Sequence, residues 1–265
     1  MLDSVFLVKL LLTFLVGSVW ITYSTVVAQK FGSKLGGVIG GLPSTIVIGL
    51  FFIGWTQSPE IAAQATIATP IVMGMCALMI AWYAFSLKHG AVFAITSAVA
   101  LWFTMALGLA VVGLQSFLIS LFAFTLFLVT AYWVFEYRLQ IPSVTGKPFV
   151  PTKSELLYRG LVSGAIITMA VAAAKFGGPL LGGIFASFPA VFLSNMIISY
   201  RARGREFSAG LMKVLMLSGT INVTVYASAV RMLYPAYGLV VGTLTAFVIS
   251  LISTYGVFQL VKRIS

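Results

Sequence analysis

The residues of this chain that are best suited to bind a ligand are small, neutral and grouped around two prolines. Residues 35–49 read LGGVIGGLPSTIVIG and residues 181–194 read LGGIFASFPAVFLS, so each proline follows a Gly-Gly pair within an apolar run. A proline inside a helix removes a backbone donor and frees the carbonyl four residues earlier. Broken helices of this kind are typical of solute sites in transporters. The candidate substrate-binding residues are Gly41, Pro43, Ser44, Thr45, Ser187, Pro189, Asn195 and Asn222.

The same residues have a second interpretation, in which they only pack helices together. Proline and small residues are common in membrane helices because they allow kinks and close approach. Asn222 is predicted near the middle of its span, where an amide must bond to a neighbouring helix, to water or to a ligand. A neutral lining favours a neutral or anionic organic solute over a metal ion. The sequence leaves the site and the packing interpretations open.

Other kinds of chemistry have little support in the sequence. The chain has one histidine, His89, and one cysteine, Cys76, so no metal-ligand cluster of these residues is available. It contains no nucleophile elbow and no Walker sequence. We therefore predict no enzyme activity, no metal and no cofactor. All carboxylates fall at predicted helix ends or in loops, which argues against a cation/proton antiporter: Asp3, Glu60, Glu136, Glu155 and Glu206.

The amino-acid composition is that of an integral membrane protein. Hydrophobic residues make up 60% of the 265 residues and charged residues 8%, with a mean hydropathy of +1.09. Soluble domains carry about 45–50% apolar and about 25% charged residues. The formal net charge of +11 is explained by basic loops that face the cytoplasm and anionic lipid, so nucleic acid is not an expected partner. Whether two copies form a homodimer is left open.

Apolar runs of spanning length predict an all-α polytopic membrane protein of about nine transmembrane helices. Of the 16 Lys and Arg residues, only Lys9, Lys175 and Arg231 fall on one side if the spans alternate. The positive-inside rule then places the N-terminus outside and the C-terminus in the cytoplasm of an inner membrane. Lys9 and Lys213 lie about one turn inside their spans, from where an ammonium group reaches the interface. The predicted spans are 5–27, 35–55, 61–86, 91–112, 116–136, 155–174, 179–199, 209–230 and 237–261.

An internal repeat organises these spans. Lys30-Phe31-Gly32 recurs as Lys175-Phe176-Gly177, and Pro43, Glu60 and the Gly36-Gly37 pair recur 146 residues later as Pro189, Glu206 and Gly182-Gly183. Residues 5–112 and 155–262 then form two four-helix repeats, joined by a connecting span (116–136) and a cytoplasmic linker (137–154). One connecting span turns the second repeat upside down, so we predict a 4+1+4 inverted-topology repeat.

The repeated phrase also resembles a known group of proteins. A Gly-Gly pair, then a proline, an apolar run and an acidic residue that opens the next span are similar to the GlpM-type family of small bacterial membrane proteins. The resemblance covers each half separately, through GGVIGGLPSTIVIG and GGIFASFPAVFLS. It implies a duplicated membrane architecture and no particular substrate. The overall plan is also similar to that of drug/metabolite transporters, although the membrane-embedded acid of that group is missing here.

Inverted repeats are characteristic of secondary transporters, because two related halves of opposite orientation can exchange conformations. We therefore predict a transporter or permease for a small neutral or anionic organic solute, with its site between the two proline helices. The alternative is a membrane scaffold or assembly factor that transports nothing. A cavity lined by both proline segments favours transport, whereas a solid interior with its polar groups bonded between helices favours the scaffold.

Overall fold

The computed structural model describes residues 4–30, 42–142 and 152–264. Every regular element in these residues is helical and no strand occurs among them, so the predicted all-α class is confirmed. Short 3₁₀ turns at Thr66–Ala68 and Leu87–His89 follow α3 and α4, and a π-helical turn, Val134–Arg138, extends α6. The helices are α1 Ser4–Lys30, α2 Ser44–Thr56, α3 Pro59–Ala65, α4 Thr69–Ser86, α5 Ala91–Val112, α6 Phe117–Trp133, α7 Lys153–Gly177, α8 Pro179–Ala186 and α9 Ala190–Ile264.

Local sequence signals explain where several helices begin. Ser58 precedes α3, its hydroxyl accepts a hydrogen bond from the Ile61 amide at 3.3 Å, and Pro59 occupies the first helical position. Thr152 and Glu155 form a capping box at the start of α7, with the Glu155 carboxylate accepting from the Thr152 amide at 2.8 Å. These caps satisfy amide groups that no intrahelical carbonyl reaches.

The number of membrane spans differs from the prediction. Among the described residues, six helical stretches are long and apolar enough to cross a membrane, and α2 is a shorter apolar helix. These seven helices support a multi-pass membrane protein, but they do not support the predicted count of about nine. The difference arises because three predicted spans, 179–199, 209–230 and 237–261, lie on one apolar stretch, Pro179–Val257. Within α9 the backbone leaves the helical region only at Gly204 and Gly238.

The helices differ strongly in how much of their surface is covered. In the stretch Pro59–His89, 78% of the most apolar window is buried, compared with 22% in Ala91–Val112 and 17% in Phe117–Arg138. The buried helix α4 packs against α5, α6 and α9. On α5 and α6, large apolar side chains such as Val111 and Phe122 are exposed. Lipid chains would cover these faces, since a bilayer is as apolar as the side chains themselves.

Helices α1 and α7 lie side by side and run in opposite directions. Phe6, near the start of α1, packs edge-to-face on Phe176, near the end of α7, with ring centroids 5.9 Å apart. In the middle of the pair, Gly164 lies against Ser18 and the backbone of Phe14. A small residue at this point lets the two backbones approach closely, as in other membrane helix pairs.

Candidate functional site

Two helices begin after a proline with the same pattern of backbone hydrogen bonds. Pro43 precedes α2, and its carbonyl accepts the first hydrogen bond of that helix from the Val47 amide at 3.1 Å. Pro189 precedes α9, and its carbonyl accepts from the Leu193 amide at 2.9 Å. Residues 187–189 are non-helical and separate α8 from α9. Each proline therefore begins a helix, because it lacks the amide hydrogen that a position inside the helix would need.

A cavity of about 50 Å³ lies between these two breaks. We call residues 42–46 the Pro43 segment and residues 186–192 the Pro189 segment, and both line the cavity. A volume of this size admits a few water molecules and is well below the roughly 300–1,000 Å³ of sites for drug-sized ligands. The lining residues are Leu42, Pro43, Ser44, Thr45, Ile46, Met73, Ala186, Ser187, Phe188, Pro189, Val191, Phe192, Gly219 and Val223.

Most of the lining consists of pairs of positions that are 146 residues apart, which is the offset of the repeat. A cavity on an axis between two related halves is expected to be lined in this way, by the same positions of both halves. Sequence reasoning identified the proline pair but missed the apolar members, although the repeat offset alone links them. The pairs are Leu42 with Phe188, Pro43 with Pro189, Thr45 with Val191, Ile46 with Phe192, and Met73 with Gly219.

The polar groups at the cavity are three hydroxyls. Ser187 is buried, and its hydroxyl donates to the Thr69 hydroxyl at the start of α4 over 3.3 Å. Thr45 is 8% exposed, and its Oγ1 has no hydrogen-bond partner among the described residues. Ser44 is half-buried at the first position of α2. The lining residues themselves include no charged side chain, so polarity here comes from hydroxyls and backbone groups.

The structure places the other predicted site residues elsewhere. The Asn195 amide donates to the Val191 carbonyl of its own helix at 2.8 Å. Asn222 is fully buried, and its Oδ1 accepts from the Ser253 hydroxyl at 2.9 Å, so it joins two parts of α9. Neither asparagine lines the cavity. The predicted Gly41 lies outside the described residues. The cavity thus brings together Pro43, Ser44, Thr45, Ser187 and Pro189.

Comparisons with known proteins identify a repeated unit and no function. A family model described as a protein of unknown function (DUF3147) matches two stretches of the chain, residues 10–109 and 156–263. Neither the curated proteins nor the solved structures give a match. The two matched stretches correspond to a tandem repeat of one uncharacterised unit, and each of them contains one of the two proline segments.

Proposed function

The chain belongs to the DUF3147 family of proteins of unknown function, whose model it matches twice, and from this premise we propose that it is a secondary transporter for a small organic solute. The solute binds at the cavity between the Pro43 and Pro189 segments and reaches each side of the membrane in turn. The observation that carries the proposal is the cavity lining, which draws the same positions from both matched stretches. Two structural repeats that enclose one site are typical of transporters that work by alternating access.

We further propose that the two copies are related by a two-fold axis in the plane of the membrane. The antiparallel contact of α1 with α7 supports this, since these are the first helices of the two copies. Ser18 touches Gly164, which directly follows Ser163, the residue equivalent to Ser18 at the 145-residue offset of Lys30 and Lys175, as expected for helices that meet near such an axis. The tandem arrangement fits the GlpM-type resemblance, which belongs to this proposal as well.

We propose that Gly204 and Gly238 divide α9 into three membrane crossings, which gives nine crossings in total. Gly204 has φ 75° and is 146 residues from Ser58, which separates α2 from α3. Gly238 has φ 72°, and Gly90, which precedes α5, has φ 98°. Positive φ is a conformation that glycine adopts without steric cost. The breaks of the second copy then correspond to the loops of the first, in the order 4+1+4.

The orientation proposed is an N-terminus outside and a C-terminus in the cytoplasm of an inner membrane. Three cations lie on aromatic rings near helix ends: Lys9 on Trp55 near the end of α2, Lys175 on Phe6 near the start of α1, and Arg231 on Phe117 at the start of α6. These are the three cations that the charge rule assigns to the outside. Lys9 and Lys175 both lie at the start of α1, which supports one poorly charged face, and we assign the remaining cations to the other.

Labelling of single cysteines tests the inverted arrangement. Glu60 and Glu206 are exposed and equivalent in the repeat, and the native Cys76 is buried and can be replaced by alanine. We expect a membrane-impermeant maleimide to label Glu60→Cys in intact cells and Glu206→Cys only after permeabilisation. Labelling of both cysteines from the same face would show that the two copies have the same orientation and would remove the basis of the proposal.

Access to the cavity tests transport without knowledge of the solute. Ser44 and Ser187 line the cavity from the two copies, and cysteine differs from serine by one atom. In a Cys76→Ala background, we expect an impermeant sulfonated methanethiosulfonate to modify Ser44→Cys and Ser187→Cys from either face of sealed vesicles. Phe122→Cys, on the exposed surface of α6, is the control for a thiol that faces lipid.

The two candidate functions give different labelling results. A transporter that alternates between two open states exposes each thiol to both sides over time. A scaffold has no second open state, so its cavity thiols react from one face only or from neither. The second result would favour the scaffold, for which the hydrogen bond of the buried Tyr83 hydroxyl to Ser208 across α4 and α9, at 2.8 Å, is the supporting observation.

A further inference from the structure

The cavity is bordered by the N-termini of two helices and by a buried hydroxyl that has no hydrogen-bond partner. Together these groups favour a ligand that accepts hydrogen bonds and carries a negative charge. We infer that the cavity binds the carboxylate of a small monovalent organic anion, a short-chain monocarboxylate. The inference rests on the proposed solute site and narrows its substrate class from neutral or anionic solutes to anions.

Two helices begin at the cavity. Helix α2 has 13 residues, and no side chain caps its N-terminus. Helix α9 begins directly after Pro189, and its residues Val191 and Phe192 line the cavity. The Ser44 and Ala190 amides already donate to the Leu42 and Phe188 carbonyls, so the donors considered are the amides that follow them in the first turn of each helix. The first amide groups of a helix have no intrahelical acceptor and carry about half a positive charge in total. Two helix N-termini therefore provide about one positive elementary charge in total. One carboxylate balances this charge, whereas a dianion would leave a second negative charge unbalanced.

The Thr45 hydroxyl is a second and independent indication of a ligand. Thr45 lies in the first turn of α2 and lines the cavity, and its side chain is 8% exposed. Its Oγ1 has no partner among the described residues. A buried hydroxyl without a partner costs about 1–3 kcal/mol, which a bound acceptor group recovers. A carboxylate oxygen accepts hydrogen bonds, so the Thr45 hydroxyl and the amides of the helix ends can donate to one group.

The apolar part of the cavity lining indicates what is attached to the carboxylate of the ligand. Phe188, Phe192 and Val223 contribute apolar groups, and none of the lining residues carries a charge. An aliphatic chain is suited to such a lining, whereas a second charged group would be buried without a partner. The volume of about 50 Å³ limits the chain to a few carbons. Acetate, propionate and butyrate meet these requirements.

Thermal unfolding of the purified full-length protein tests the inference. The probes are sodium acetate, propionate and butyrate, each compared with its neutral amide at matched sodium chloride. A ligand that binds the folded protein raises its Tm, so we expect the carboxylates to raise Tm and the amides to have a smaller effect. In Thr45→Val, the loss of a hydrogen bond to a charged group shifts the midpoint concentration about tenfold or more upward.

Two further variants isolate the hydroxyl. Thr45→Ser keeps the donor and should respond to the carboxylates as wild type does. Thr104→Val removes an exposed hydroxyl that donates to the Ala100 carbonyl within α5, and it should also respond as wild type does. General effects of salt act on all variants alike and cancel in this comparison.

The possible outcomes separate this inference from the proposed function. If the amides raise Tm as much as the carboxylates and both responses require Thr45, the anion inference is wrong and the solute site remains. If the carboxylates act equally on wild type and Thr45→Val, or raise Tm in neither, the inference is also wrong. In that case the labelling of Ser44→Cys and Ser187→Cys alone decides whether the cavity is a transport site.

Discussion

Gly183→Ala is expected to lower the stability of the protein by about 3 kcal/mol, the upper part of the range for overpacked interiors. Gly183 lies in α8, where an added Cβ would be 2.9 Å from the Ala65 carbonyl carbon, closer still to its oxygen, and 3.1 Å from the Ala68 Cβ. The obstacle is backbone, which cannot rotate away as the tip of a side chain can. Relief therefore requires α8 to move away from α3.

The movement of α8 also has a consequence for the cavity. The Pro189 segment follows α8 directly, and Ser187 donates to Thr69, the residue after Ala68. We expect the melting temperature of Gly183→Ala in detergent to fall by roughly 10 °C, at about 2–4 °C per kcal/mol for a chain of this size. The Ser187→Cys thiol should react faster in this background, because the segment that holds it is displaced.

Gly108→Ala is the matched control. Gly108 lies inside α5, and no atom lies within 4 Å of the position that its Cβ would take. Alanine favours a helix over glycine by about 1 kcal/mol, so this variant should melt at the same temperature as wild type or slightly higher. Equal stability of Gly183→Ala and Gly108→Ala would show that α8 and α3 are not in close contact.

Helix ends were predictable from sequence where a glycine or a cap marks them. The predicted span 91–112 coincides with α5 at both ends, because Gly90 and Gly113 flank it with φ values of 98° and 69° that other residues rarely adopt. The predicted break between spans 179–199 and 209–230 contains Gly204, where the backbone has φ 75° and leaves the helical region. Helical residues continue directly on both sides of Gly204, so no loop separates the two segments.

The site was predictable to the extent that it depends on backbone chemistry. Proline must begin a helix or break one, and so Pro43 and Pro189 could be identified from sequence. Sequence could not show that the Thr45 hydroxyl has no partner, or that Asn222 accepts from Ser253 through Oδ1 while its Nδ2 has no partner, because these facts depend on which helices are neighbours. The apolar lining residues, such as Met73 and Val223, resemble every other apolar residue of the chain.

The partner of Lys213 was also not predictable from sequence. Its position near the end of a predicted span suggested an ammonium group that reaches the interface. In the structure Lys213 is buried, with its Nζ 2.8 Å from the Glu136 carboxylate and 2.8 Å from the Ile141 carbonyl, to which it donates. Glu136 lies in the π-helical turn that ends α6. The ion pair therefore fixes the end of the predicted connecting span to α9.

Glu136→Gln is expected to destabilise the protein by about 2–4 kcal/mol, because it leaves the Lys213 ammonium buried without a counter-charge. The reverse change, Lys213→Met, should cost less, about 1–2 kcal/mol, since Glu136 is 28% exposed and water can reach its carboxylate. The double variant removes both charges, so its loss should be smaller than the sum of the two single losses. Melting temperatures of the four proteins give this coupling directly.

The control for the cycle is Glu206→Gln, at an exposed carboxylate for which the described residues provide no ion pair. An exposed carboxylate is solvated, so its removal should change stability by less than about 0.5 kcal/mol. If Glu136→Gln melts as Glu206→Gln does, the pair adds no stability to the contact between the end of α6 and α9. If the coupling is found, the ion pair stabilises the contact of the connecting span with the second copy, and the proposed transport motion is then expected to keep this contact.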